Sequence, residues 1–213
     1  MRDWLFGAAV LAGVSYFFGA MAVPPGALVT AWKGAGVGLL ALWAARNARS
    51  ADGWTIAAVL ALGALGDVLI EAVGLIAGAV AFLAGHLLAA RLYVAHRRAR
   101  LSPSQRALSL LLAPAVAFTG WALAPAGGLA PGIALYAAGL GLMAATAWAS
   151  AFPRYLVGLG AIAFVASDLL LFARLGVLKG SPLAEWGVWP LYFAGQALIA
   201  WGVVRGRSAP NLG

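Results

Sequence analysis

Residues 107–153, ALSLLLAPAVAFTGWALAPAGGLAPGIALYAAGLGLMAATAWASAFP, contain no charged side chain. The run is far too long for one membrane crossing, which needs about 20 mostly apolar residues. Pro125, Gly127, Gly128 and Pro131 break it in two. Other breaks fall at Pro24-Pro25, Arg46 to Gly53, Gly74, His96 to Arg106, Pro153-Arg154 and Arg174 to Glu185. The reading is an all-α fold, an eight-helix transmembrane bundle with spans near 4–23, 26–45, 54–72, 75–95, 107–124, 132–151, 155–173 and 187–204. Met1-Arg2, the apolar run after it and Ala20-Met21-Ala22 imitate a secretory signal and its cleavage site. The segment is expected to stay as the first span.

Composition agrees. The chain is 64% hydrophobic and 9% charged, with a mean hydropathy of +0.95, whereas a soluble surface needs roughly a quarter charged residues. No gap between spans holds a second domain, so residues 1–213 read as a single integral membrane domain whose chemistry lies within the bilayer. Zero cysteines exclude disulfides, thiolate metal sites and cysteine nucleophiles.

The net charge of +8 is explained by topology. With an inside N-terminus and an even number of spans, the inside segments hold Arg2, Arg46, Arg49, Arg97, Arg98, Arg100, Arg106, Arg154, Arg205 and Arg207. The outside loops hold only Arg174 and Lys179. This positive-inside bias puts both termini in the cytoplasm and leaves no need for a nucleic-acid partner. The Ala/Gly/Arg-rich composition is that of a GC-rich bacterium, which puts the protein in a bacterial plasma (inner) membrane. Trp4, Trp43, Trp54, Trp121, Trp148, Trp186, Trp189 and Trp201 fall near span ends and read as an interfacial belt. Arg91 and Tyr93 read as an anchor pair at the inner end of the fourth span. Gly34/Gly38 and Gly74/Gly78 are candidates for close helix packing.

A weak internal similarity pairs Phe82-Leu83-Ala84-Gly85-His86 with Tyr192-Phe193-Ala194-Gly195-Gln196. Each follows a span with a lone aspartate, Gly66-Asp67-Val68-Leu69 and Ser167-Asp168-Leu169-Leu170. The expectation is two parallel four-helix repeats, 1–100 and 107–207, with the aspartates face to face.

The ionisable residues within spans are Lys33, Asp67, Glu71, His86, Arg91 and Asp168. A central charge costs about 2.5–3.5 kcal/mol on insertion scales, so these side chains should face the bundle interior. Lys33, Asp67, Glu71 and Asp168 fall within roughly 10 Å of the outer boundary at 1.5 Å per residue, with His86, Tyr192 and Gln196 from that level to the midplane. Lys33 also reads as a structural partner for Asp67 or Glu71, and Glu71 and Arg174 can snorkel. Two carboxylates brought together in low dielectric cannot both ionise, which makes Asp67 and Asp168 an acid/base couple. A metal held by Asp67, Glu71, His86 and Asp168 is a weak signal with a single histidine, so no metal and no cofactor is expected. Ser167 has no matched histidine.

Lys33, Gly66-Asp67-Val68-Leu69, Phe82 to His86 with Tyr93, Tyr136, Met143, Gly160-Ala161 through Phe164 to Ser167-Asp168, and Tyr192 to Gln196 together resemble the YhhN-type lysoplasmalogenases. The resemblance covers nearly the whole chain, departing where Gly34 follows Lys33 in place of proline. It implies hydrolysis of the vinyl-ether bond of a lysophospholipid, the lysoplasmalogen, to a fatty aldehyde and glycerophosphoethanolamine or glycerophosphocholine. Asp67 and Asp168 would then be catalytic, with either as the acid, and Lys33, Glu71, His86, Tyr192 and Gln196 would bind substrate. Partners beyond the substrate are membrane lipids. The alternative reading of buried carboxylates in a repeat is a proton-coupled small-molecule or lipid transporter.

Overall fold

Eight α-helices follow from the pattern of apolar runs and breaks. The computed structural model describes residues 3–206, so Arg2 and Arg207 of the charge count lie outside the described residues. The helices are α1 (Trp4–Gly19), α2 (Ala27–Asn47), α3 (Ala51–Ala72), α4 (Leu75–Ala95), α5 (Pro103–Leu123), α6 (Ala130–Ala149), α7 (Leu159–Leu175) and α8 (Pro182–Gly206). Seven stretches are long and apolar enough to cross a membrane, α7 counted with the turn before it. They make this a multi-pass membrane protein. The remaining helix, α1, is shorter than its expected span. Its 16 residues rise about 24 Å, and the 3₁₀ turn Ala20–Ala22 brings the segment to about the 30 Å of a hydrocarbon core.

The breaks have local causes. Gly74, Gly127, Gly128 and Gly180 take positive φ, which places left-handed backbone at three of the connections on one face of the bundle. Gly74 therefore turns the chain between α3 and α4, and nothing lies within 4 Å of where its Cβ would be. It is a turn residue, not the packing residue expected. Gly34 and Gly78 do pack: added Cβ atoms would sit 2.7 Å from Val68 and 2.8 Å from the Gly66 carbonyl oxygen. Helix α5 begins four residues before its expected start. The Ser102 hydroxyl accepts from the Gln105 amide and the Gln105 side chain accepts from the Ser102 amide, a capping box with Pro103 in the first turn. Helix α8 likewise starts early, at Pro182, and runs through Pro190.

Asp3, just before α1, pairs with Arg205 near the end of α8, so both ends of the described chain meet at one face. At this terminal face the strand-like pairing of Arg97 with Ser150 and the Arg98 side chain on the Ser150 carbonyl, 2.7 Å, tie the α4–α5 connection to the end of α6. His96 contacts Asp52 at 2.9 Å on the same face.

Two tryptophans leave the expected belt. Trp43 is fully buried, stacks on Trp201 and meets Phe6 edge-on. Trp189 is buried and donates its indole N–H to the Gly13 carbonyl at 2.8 Å, joining α8 to α1. Trp4, Trp54, Trp121 and Trp186 are exposed as a belt requires. Tyr93 is also in the core, against Phe152, so it is no surface anchor, whereas Arg91 is exposed. In each case the helix rotation set by packing, not distance from the span end, decides which way the ring points.

Helices α7 and α8 meet backbone to backbone. A Cβ at Gly160 would lie 2.8 Å from the Gly195 carbonyl oxygen, and one at Gly195 2.7 Å from that of Gly160. In lipid, where no hydrophobic force drives helices together, such small-residue contacts let backbones meet. This contact lies about two turns toward the terminal face from Asp168 and holds α7 and α8 in register around it.

Candidate functional site

Among the described residues, seven polar or charged ones are buried: Asp67, His86, Gln105, Ser150, Ser167, Asp168 and Gln196. Gln105 and Ser150 belong to the terminal-face connections. The rest cluster toward the opposite, far face.

Asp67 is in the last two turns of α3 and only 2% exposed. Two glycines of its own helix make room around it. A Cβ at Gly63 would stand 2.8 Å from the Gln196 amide nitrogen and 3.5 Å from the Tyr192 hydroxyl, and one at Gly66 would strike the Phe82 ring. Through that gap α8 delivers Tyr192, whose hydroxyl donates to Asp67 Oδ2 at 2.8 Å. Gln196, buried one turn along α8, brings its amide nitrogen to the same gap at Gly63.

Asp168, on α7, has a matching arrangement built from other helices. The Tyr136 hydroxyl of α6 donates to Asp168 Oδ2 at 2.7 Å, and His86 Nε2 of α4 lies 3.1 Å from that hydroxyl. With its single proton committed to Asp168, Tyr136 accepts from an Nε2–H of His86, giving the chain His86–Tyr136–Asp168 across three helices. Phe82, Phe164 and Tyr192 pack edge-to-face between the two sets, with centroids 5.0–6.1 Å apart, and His86 meets Phe164 edge-on at 4.9 Å.

Asp67 and Asp168 line one cavity of about 380 Å³. It opens toward the far face past Tyr16, Lys33, Glu71, Arg174 and Glu185. Lys33 Nζ and Glu71 Oε1 form an ion pair of 2.6 Å at its mouth, with 15% and 40% of their side chains exposed. Lys33 thus pairs with Glu71 rather than hydrogen-bonding Asp67. Ser167, next to Asp168, donates to the Val188 carbonyl at 2.9 Å, which occupies its hydroxyl with structure.

All the expected site residues therefore gather at this cavity or in its polar wall: Lys33, Asp67, Glu71, Asp168 and Tyr192 line it, while His86 stands behind Tyr136 and Gln196 one helical turn from Tyr192 beside Gly63. Asp67, Glu71, His86 and Asp168 do not form a metal-holding cluster of three among the described residues. The sequence placed Tyr136 among the residues of the family resemblance but gave it no role at the site, where it links His86 to Asp168. The available signal was a lone hydroxyl in an otherwise apolar run, Ile133 to Met143.

A match to the YhhN family extends over residues 28–203, nearly all of the bundle after α1, and the chain belongs to that family. No curated protein and no solved structure matches it.

Proposed function

We propose that this member of the YhhN family is a lysoplasmalogenase-like hydrolase that cleaves the vinyl-ether bond of a single-chain ether phospholipid, with Asp67 and Asp168 as its acid/base pair. One observation carries the reading: two buried aspartates, each held by a tyrosine hydroxyl, share one cavity that opens past a lysine and an arginine. Vinyl-ether hydrolysis demands that equipment. Carbon protonation of the alkene is the difficult step and needs a carboxylic acid held against an apolar substrate. The oxocarbenium ion so formed needs a nearby carboxylate, and the incoming water needs a base. A phosphodiester headgroup needs cations, and Lys33 and Arg174 stand at the mouth. The products are a fatty aldehyde and a glycerophosphodiester, with the enzyme embedded in a bacterial plasma membrane.

The test is aldehyde release from a lysoplasmenyl-ethanolamine by the purified protein in detergent, with Asp67→Asn and Asp168→Asn beside wild type. Each variant keeps an oxygen for its tyrosine to bond. Both are expected to unfold near wild type and to lose at least about a hundredfold in kcat/KM, the scale for removing a general acid or base. A folded wild type that releases no aldehyde, yet takes up solute into proteoliposomes along a pH gradient, would replace this reading with a transporter.

A further inference from the structure

The cavity holding the two aspartates adjoins a second, apolar arm, and Ile70, Leu75, Phe82, Asp168 and Leu171 line both. Beyond Phe82, helices α4, α6 and α7 leave a cleft of about 330 Å³. Its walls are aliphatic, with Ile76, Val80 and Leu83 on one side and Gly132 and Leu135 on the other, and it ends on Asp168 and Tyr136. Ile76, Val80 and Leu135 are 64–71% exposed on the outer surface of the bundle, where a membrane protein meets lipid. The two arms share Phe82 and Asp168, but Asp67 lines only the polar one.

We infer that the α4–α6 cleft seats the aliphatic chain of the substrate, with the phosphodiester in the polar arm, and that this orientation makes Asp168 the proton donor and Asp67 the base. The assignment of roles rests on the vinyl-ether reading above; the seat for a single lipid chain does not. Polarity runs in the same sense along the substrate and along the two arms. A lysolipid is a phosphate and glycerol joined to one long chain, and here a cavity with a cationic mouth lies against one aliphatic cleft that reaches the bilayer, with Asp168 lining both. In a vinyl ether the alkene carbon to be protonated is the chain-side one, and the oxygen-bearing carbon and glycerol lie toward the headgroup. The carboxyl at the junction with the cleft, Asp168, therefore faces the carbon that takes the proton. Asp67, which lines only the polar arm, faces the carbon that water attacks.

The steps balance. The Asp168 carboxyl gives its proton to the chain-side carbon, whose π electrons form the new C–H bond and leave an oxocarbenium ion. Water adds to the oxygen-bearing carbon as Asp67 takes one of its protons, giving a hemiacetal. Asp67 then protonates the glycerol oxygen, that C–O bond breaks, and Asp168 takes the hydroxyl proton as the aldehyde forms. Both carboxyls return to their starting state, and one water has been consumed.

Gly132 supplies the test. It lines the cleft, and nothing lies within 4 Å of its Cβ position, so Gly132→Phe adds bulk at the cleft from a position whose Cβ meets no other atom. A non-cleavable alkyl lysophosphoethanolamine carrying a photoreactive diazirine at its chain end is expected to label α4 and α6 in wild type and to lose that labelling in Gly132→Phe. Turnover is expected to fall about tenfold or more for a roughly sixteen-carbon alkenyl chain, equivalent to denying burial to about two methylenes, and by a much smaller factor for a roughly four-carbon one, so that the preference for the long chain collapses. Labelling confined to other helices, or equal labelling by a diacyl phosphatidylethanolamine probe, overturns the seat, the second because the cleft then holds bulk lipid. If wild type labels as expected but cleaves no vinyl ether, the chain seat stands, and the hydrolase reading falls together with the roles of the two aspartates.

Discussion

Replacing Tyr136 with phenylalanine tests whether Asp168 carries the proton. The hydroxyl lies 2.7 Å from Asp168 Oδ2 and 3.1 Å from His86 Nε2. The ring packs edge-on against His86 at 5.5 Å and Phe172 at 5.8 Å. Phenylalanine keeps those ring contacts and opens no sizeable cavity, so the change isolates the hydroxyl. Two buried groups lose an interhelical partner, and each such loss in a membrane costs about 0.6 kcal/mol on average and up to about 1.7. The thermal midpoint should fall by several degrees, since 1 kcal/mol moves it by roughly 2–4 °C in a chain of this length. For catalysis the relevant quantity is a hydrogen bond to a group that becomes charged as it gives up its proton, worth about 1.5–3 kcal/mol. That converts to roughly 10- to 150-fold in kcat/KM. The loss should fall on kcat, because the hydroxyl acts when charge develops on Asp168 rather than when substrate binds. Aldehyde release across a pH series, with unfolding followed in the same detergent, measures all three. A merely structural tyrosine would lower the midpoint and leave the pH–rate profile in place. A folded Tyr136→Phe enzyme with wild-type kcat and an unmoved profile would refute the assignment of Asp168 as donor.

Other outcomes follow from the same geometry. Gly160→Ala or Gly195→Ala should destabilise by about 1–3 kcal/mol or more, because each new Cβ meets a backbone oxygen that cannot step aside; a thermal midpoint equal to wild type would count against the α7–α8 contact. Lys33→Met should raise KM for a phosphodiester substrate with kcat nearly unchanged, and Glu71→Gln should lower KM by freeing the lysine from its 2.6 Å pair. Outside the membrane-spanning segments, Asp3 is held below its ordinary value of 3.8, chiefly by its hydrogen bond with Arg205. A carboxylate depressed in the folded state contributes stability above its unfolded pKa and loses it as pH falls through the folded one. Asp3→Asn should therefore lower the thermal midpoint slightly at neutral pH, with the difference vanishing as the pH drops below the ordinary carboxylate range.

How far the sequence disclosed this arrangement varied with the kind of residue. Asp67 and Asp168 were legible because a carboxylate in hydrocarbon is too costly to be incidental, and their depth followed from counting along each span. Tyr136 was not, since a tyrosine in an apolar run costs little and its role depends on which helix it faces. Trp43 and Trp189 failed for the same reason. A ring near a span end reaches either the headgroups or the core according to a rotation about the helix axis, and helices that are apolar all round carry little periodic signal to set that rotation. The capping box at Ser102 and Gln105 was readable but lay within a basic stretch taken as loop. The pairings across helices, Tyr192 with Asp67 and Tyr136 with Asp168, arise only from packing, which Gly63 and Gly66 permit by leaving space beside Asp67.

The site is also part of what holds the bundle together, and that bears on how its variants must be read. Tyr192 with Asp67 joins α8 to α3, while His86, Tyr136 and Asp168 join α4, α6 and α7. Interhelical hydrogen bonds in membranes contribute about 0.6 kcal/mol on average, so neither set is a dominant strut, yet each fixes the rotation of its helices about the cavity. Substituting either aspartate by alanine would therefore mix lost chemistry with an orphaned tyrosine hydroxyl and a void. Asparagine keeps the volume and an accepting oxygen but has no acidic proton to give. Comparing Asp67→Ala with Asp67→Asn separates the two contributions: the alanine variant should unfold at a lower temperature than the asparagine variant, while both lose activity to a similar degree. Asparagine and alanine variants that matched in stability would mean that the Tyr192 hydrogen bond does not brace the bundle, and an active asparagine variant would mean that Asp67 accepts no proton in the reaction.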